Sequence, residues 1–168
     1  MTRFLLDTNI FIQAKNLHYG FDFCPAFWEW LIAQNVIGRV ASIDKVGDEL
    51  QAGGDDLSDW AAARGGSFFL IPDDATMRAF SGVSAWATGQ TYEAAAIATF
   101  FQVADYWLVA HALAHGFVVV THEVPSDSTR KVKIPNACIG LGLTCISPYE
   151  MLRRERARFV LGPSPRAA

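Results

Sequence analysis

An apolar run, Phe4-Leu5-Leu6, ends in Asp7-Thr8-Asn9, and apolar residues resume at Ile10-Phe11-Ile12. An acid, a hydroxyl and an amide at the end of a hydrophobic run read as a buried strand delivering polar side chains at its C-terminal end. In open α/β sheets that end is where ligands and chemistry collect. One carboxylate makes no catalytic site. Three further acids, Glu49, Asp105 and Glu123, stand where a helix pattern begins or a strand pattern ends. Carboxylates crowded at one point repel one another, so burying them together calls for a cation and raises at least one pKa without it. Oxygen ligands with no His or Cys cluster select Mg²⁺ or Mn²⁺ over zinc. Such a site suits phosphodiester hydrolysis, because the ion activates water and offsets charge on the reacting phosphate. Taken singly, each acid has a plainer reading as a helix cap or a solvated charge. Asp7 resists it, since its polar triplet interrupts an apolar run.

The elements that must position these residues follow from hydrophobic period and punctuation. Beyond the first strand, strands are predicted at 38–43, 68–71, 117–121 and 142–146. A helix begins within 10–14, and Pro25 opens another at its first turn, with Phe27, Trp28, Trp30, Leu31 and Ile32 as core. In the helix from Asp44, Val46 and Leu50 share the core face, which puts Glu49 at its edge. Asp48, one position back, points about 100° away, so Glu49 is preferred. A short helix covers 57–63, and the helical pattern of 74–101 is broken at Gly82 and Gly89. The next helix runs from Ala104 to Gly116, with Asp105 in its first turn, where the dipole favours negative charge. Residues 125–135 read as a polar, basic loop. Ser147-Pro148-Tyr149-Glu150 forms a capping box opening a helix that carries Arg153, Arg154, Arg156 and Arg158. Alternating strands and helices predict an α/β fold with a mainly parallel sheet, in one domain over residues 1–160 with a flexible tail at 161–168.

Composition narrows the partners. A chain of 168 residues that is 51% hydrophobic is long and apolar enough for a proper core, which excludes disorder over most of it. The formal net charge of −3 means that nucleic-acid binding needs a local basic patch. Arg130, Lys131 and Lys133, with the C-terminal arginines, supply one that suits an RNA backbone; the alternative is a solvated basic surface. Three cysteines, Cys24, Cys138 and Cys145, lack metal-finger spacing and read as reduced thiols, in keeping with a cytoplasmic protein. Met1 leads almost at once into the first strand, leaving no room for a signal peptide, and no apolar run is long enough for a bilayer, so no membrane partner is expected. His111 and His115 lie four apart on a helix, but without a third ligand nearby they read as exposed or capping side chains. His122 lies between two candidate residues and could meet a phosphate.

The segment Leu5-Leu6-Asp7-Thr8-Asn9-Ile10-Phe11 resembles the N-terminal motif of PIN domains, the metal-dependent ribonuclease fold of many bacterial toxins. The resemblance continues through Val46-Gly47-Asp48-Glu49-Leu50, Ala104-Asp105-Tyr106-Trp107-Leu108-Val109-Ala110 and Val119-Val120-Thr121-His122-Glu123, in the family's order and over most of the chain. Cys24-Pro25-Ala26-Phe27-Trp28 together with Lys133-Ile134-Pro135-Asn136-Ala137-Cys138 further resembles a PIN-like subfamily of uncharacterised function. The resemblance implies a PIN-like three-layer α/β/α sandwich in which Asp7, Glu49, Asp105 and Glu123 bind Mg²⁺ or Mn²⁺ and carry catalysis. It implies that Asn9 and Thr121 orient carboxylates or water. Many PIN domains have aspartate where this chain has Glu123, so direct ligation there gives way to ligation through water as an alternative. The implied activity is endoribonuclease, as the toxin of a toxin–antitoxin pair with a small antitoxin protein as partner and a homodimer as one assembly. The rival readings are a catalytically silent PIN-fold module that binds RNA or protein, and a metal-dependent phosphohydrolase acting on small phosphates.

Overall fold

The computed structural model describes residues 1–162. Residues 163–168, most of the expected tail, lie outside the described residues. Five parallel strands form one sheet: β1 (Phe4–Leu6), β2 (Val40–Ile43), β3 (Phe69–Leu70), β4 (Val118–Val120) and β5 (Cys145–Ile146). Their spatial order is β3-β2-β1-β4-β5. Phe4 stands opposite both Val40 and Val118, so β1 is the central strand. Phe4, Leu5 and Leu6 are each 0% exposed. Successive strand side chains point to opposite faces, so both faces of the sheet are covered and the three-layer α/β/α arrangement follows.

The helices are α1 (Thr8–Gln13), α2 (Pro25–Val36), α3 (Asp44–Gln51), α4 (Asp56–Ala62), α5 (Asp74–Thr88), α6 (Ala94–Gln102), α7 (Ala104–His115), α8 (Ile134–Leu141) and α9 (Pro148–Arg154). The α2 aromatics pack as core: Phe27 and Trp28 are buried, and the Trp28 indole donates to the Tyr19 carbonyl at 2.7 Å. No single helix among the described residues is long and apolar enough to cross a membrane.

Several boundaries differ from the sequence expectation, each for a local reason. α1 begins at Thr8, because Asp7 caps it, and it winds into a π-helical turn over Ala14–His18. Gly82 does not break α5; it lies inside that helix, where a Cβ would stand 3.7 Å from Leu113 of α7. The predicted loop ends early, as Ile134 starts α8, a helix hidden from sequence reading by Pro135 and Gly140. Proline fits the first turn of a helix, and Gly140 is there because a Cβ would come within 1.9 Å of the Trp86 Nε1. α9 stops at Arg154, so Arg156, which has φ 53°, and Arg158 are not helical as expected.

The chain runs β1 to β2 to β3 on one side, then crosses to β4 and β5 on the other. The order therefore reverses between β1 and β4, and a crevice opens beyond their C-terminal ends. Asp7 follows β1 directly, and Thr121-His122-Glu123 follow β4.

Candidate metal centre

Asp7 is held by two hydrogen bonds: its Oδ1 accepts from the Thr8 backbone N–H at 2.7 Å and its Oδ2 from the Thr121 hydroxyl at 2.7 Å. The Thr121 Oγ1 itself accepts from the Asn9 amide at 3.0 Å and from the Glu123 backbone N–H at 3.1 Å. A hydroxyl has one proton and two lone pairs. Both lone pairs are taken by N–H donors, so the one proton must point at Asp7. Asn9 uses its other end to accept the His122 backbone N–H at 3.1 Å. The polar triplet after β1 and the Thr121-His122-Glu123 segment after β4 thus form one network around Asp7.

The other acids arrive from the last turn of α3, the first turn of α7 and the loop after β4. Glu49, on α3, accepts from the Thr8 hydroxyl at 2.5 Å and from the Ala104 backbone N–H at 3.4 Å, where it meets the start of α7. Asp105 sits in the first turn of α7. Glu123 accepts from the Lys131 ammonium at 3.0 Å and from the Ile134 backbone N–H at 3.1 Å. Asp7, Asn9, Glu49, Asp105, Glu123 and Lys131 all line one cleft of about 460 Å³.

Electrostatics sort the four acids. Asp7 is only 4% exposed, and its pKa is pushed up to about 7, by burial first and by the charges of Asp105 and Glu123 next, against the lowering by Thr121 and Thr8. Asp105 is pushed up to about 6, again by burial first, with Glu123 and Glu49 adding to it and Lys131 opposing. Asp7, buried, and Asp105, half-buried, both resist ionisation in each other's presence and form a donor set short of positive charge. Their all-oxygen chemistry fits Mg²⁺ or Mn²⁺.

All four reach the same cleft, but among the described residues no group of three or more His, Cys, Asp or Glu side chains is placed to hold an ion. The reason is local: Glu49 and Glu123 have turned their oxygens onto Thr8, Ala104, Lys131 and Ile134.

Comparison with known proteins agrees with this architecture. A family model described as a domain of unknown function, DUF4411, matches residues 4–159. The chain belongs to the DUF4411 family. No curated protein matches it. Among solved structures, that of VapBC2 from Rickettsia felis bound to a DNA fragment from their promoter is similar, with a TM-score of 0.54 at 17% identity. The match covers 87% of this chain and 98% of that one. At this identity the likeness is one of fold, and it identifies the sandwich of this DUF4411 domain as PIN-like.

Within the DUF4411 domain, the sequence reading missed the part played by Thr8 and Lys131. Thr8 binds Glu49, a pairing that its place beside Asp7 hinted at. Lys131, an expected RNA contact, also pairs with Glu123 at 3.0 Å. Arg130 points outward, 85% exposed and 3.9 Å from Glu93. Lys133 caps the start of α8 through its backbone position and does not line the cleft. His111 is buried, not exposed or capping, and its Nδ1 lies 3.0 Å from the Thr76 hydroxyl. His115 pairs with Asp73 at 3.0 Å, on a part of the surface distinct from the acid cleft.

Proposed function

We propose that this DUF4411 domain is a Mg²⁺- or Mn²⁺-dependent endoribonuclease. The observation that supports it is the convergence of four acids from four separate elements on the crevice where the strand order reverses, with Asp7 buried at its floor. Asp7 and Asp105 would hold the ion, and Glu49 and Glu123 would complete its shell by giving up their present donors. A bound ion of this kind lowers the pKa of a water molecule and offsets charge on the scissile phosphate. Thr121 and Thr8 keep both Asp7 oxygens in place and ready to ligate. Asn9 keeps the Thr121 proton directed at Asp7. Lys131 and Arg130, beside the cleft, offset the repulsion between the acids and an approaching phosphate chain.

The setting that this reading favours is cytoplasmic, as the toxin of a toxin–antitoxin pair. The antitoxin would be a small protein whose basic side chain enters the cleft, and two copies of the chain would associate. The alternative is a PIN-fold module that binds RNA without cutting it. A single comparison separates the readings. The protein is incubated with a mixed RNA pool, with and without Mn²⁺, beside Asp7→Ala and beside a generic phosphate ester. Metal-dependent RNA cleavage that Asp7→Ala abolishes is the expected result. Metal binding without cleavage selects the silent module, and turnover of the ester alone selects a small-molecule phosphohydrolase.

A further inference from the structure

Beside the acid cleft lies a second depression of about 560 Å³, and Glu123 lines both. Its wall carries His122 and Tyr149. Behind them stands His18, from the π-helical turn. The three rings come from sites far apart in the chain and meet with centroids 5.5 Å (His18–His122), 5.7 Å (His18–Tyr149) and 5.8 Å (His122–Tyr149) apart. The Tyr149 hydroxyl and the His18 Nε2 are 3.0 Å apart, a hydrogen bond that fixes the tyrosine ring. Tyr149 remains 37% exposed, and both imidazoles are half-buried. A cluster serving only to pack elements together is made of apolar side chains shielded from water. This one is polar-edged, with Tyr149 open to solvent.

The cluster is also tied to the acids. His122 lies between Thr121 and Glu123, and its backbone is fixed by Asn9, the amide that also fixes the donor to Asp7. His122 is next to Glu123 in the chain, and Glu123 lines both the acid cleft and the depression that holds the rings, so the ring cluster adjoins the carboxylates. Exposed aromatic faces next to a phosphate-binding cleft are how single-stranded nucleic acid is held. On the far side of the acid cleft, Asp105 and Lys131 also line a third depression, together with Arg130. The acid cleft thus shares Glu123 with one neighbouring hollow and Asp105 and Lys131 with the other.

We propose that His122 and Tyr149 form a base-stacking subsite for single-stranded RNA, adjoining the carboxylate cleft, with His18 as a positioning residue that fixes the Tyr149 ring. This rests on the reading of the cleft as an RNA-cleaving site. The strand enters past Arg130 and Lys131, lays a phosphate at the acids and places the next base on Tyr149.

The test uses the full chain carrying Asp7→Asn, so that binding is read without turnover, and a fluorescein-labelled RNA decamer. Adding Tyr149→Ala is expected to weaken binding about tenfold, the effect of losing one stacked base, while Tyr149→Phe, which keeps the ring but loses its bond to His18, weakens it measurably and by less. The slope of log affinity against log salt stays unchanged in both, because stacking releases no counterions. Abasic substitution along the decamer is expected to find one position that costs the tyrosine-bearing protein about as much, and costs the Tyr149→Ala protein nothing further. Adenosine monophosphate should shift the imidazole C–H resonances of His18 and His122 but not of His111, a readout that needs no variant at the subsite. Equal affinity with and without the Tyr149 ring, equal loss at every abasic position, or no shift at either imidazole overturns the subsite. Cleavage by the unmodified chain decides the other reading separately. Cleavage with an unaffected Tyr149→Ala protein removes the subsite alone, and a tenfold loss with no cleavage by any form removes the nuclease alone.

Discussion

Asp7 shows how one carboxylate is both held and strained. Two hydrogen bonds favour its charge, yet burial and two neighbouring acids outweigh them. In an unfolded chain an aspartate ionises near pH 3.8, whereas in the folded protein Asp7 does so at about 7. Between these values the native state keeps a proton that the unfolded state has released, so stability falls as pH rises from about 4 to about 7. The loss is on the order of a few kcal/mol. Melting temperature followed across that range in chelator is expected to decline, and a flat or rising profile contradicts it. Asp105→Asn should raise the melting temperature at pH 8 without metal, since one repelling charge is gone, and should shrink the further rise that Mn²⁺ gives. Thr121 has the opposite duty. Thr121→Val strips Asp7 of a donor and leaves the Asn9 amide and Glu123 N–H unpaired, a cost of about 1–3 kcal/mol in chemical denaturation. Thr121→Ser keeps the hydroxyl and should recover most of that.

At the scale of elements, helix termini build the cleft. Asp7 caps α1, Glu49 accepts an N–H at the start of α7, and Glu123 accepts the first N–H of α8. Three of the four acids therefore satisfy orphan backbone donors at helix starts. The loop before α8 is closed by Asn136, whose side chain accepts from the Ser126 N–H at 3.0 Å and donates to the Ser126 carbonyl at 2.9 Å. Gly140→Ala would drive a methyl into the Trp86 ring, separating α8 from α5. Destabilisation of about 1–3 kcal/mol is expected by urea titration, the range for overpacking a filled site. A neutral result would mean that Trp86 swings away at no cost.

For the molecule as a whole, an acidic chain must attract a polyanion, so charge placement decides binding. Arg130 and Lys131 are neighbours in sequence but not in role. Arg130→Gln should weaken RNA binding and reduce the salt slope by about one unit, with turnover at saturating RNA unchanged. Lys131→Met acts inside the cleft as well, because Lys131 holds Glu123. It should lower the melting temperature in chelator and enlarge the rise on adding Mn²⁺, as Glu123 loses its counter-charge. Identical metal responses in the Lys131→Met protein and its parent would show that Glu123 takes no part in holding the ion.

The sequence by itself determined the class of fold and the identity of the acids that reach the cleft. Hydrophobic runs closed by polar residues are local patterns, and Phe4-Leu5-Leu6 before Asp7-Thr8-Asn9 marks a buried strand whatever surrounds it. Asp105 in a first helical turn and Glu49 beside Leu50 are likewise set by period alone. Only the tertiary structure decided where the acid oxygens point. Glu49 meets Thr8 and Ala104 across 41 and 55 residues, Asp7 meets Thr121 across 114, and His18 meets Tyr149 across 131. Helix α8 was hidden for the same reason: Gly140 reads as a helix breaker until the Trp86 ring against it is known. Local pattern fixes an element because its energetics are summed over neighbours along the chain. A side chain's last hydrogen bond depends on which distant donor the packed layers bring within 3 Å or so, a choice no local pattern carries.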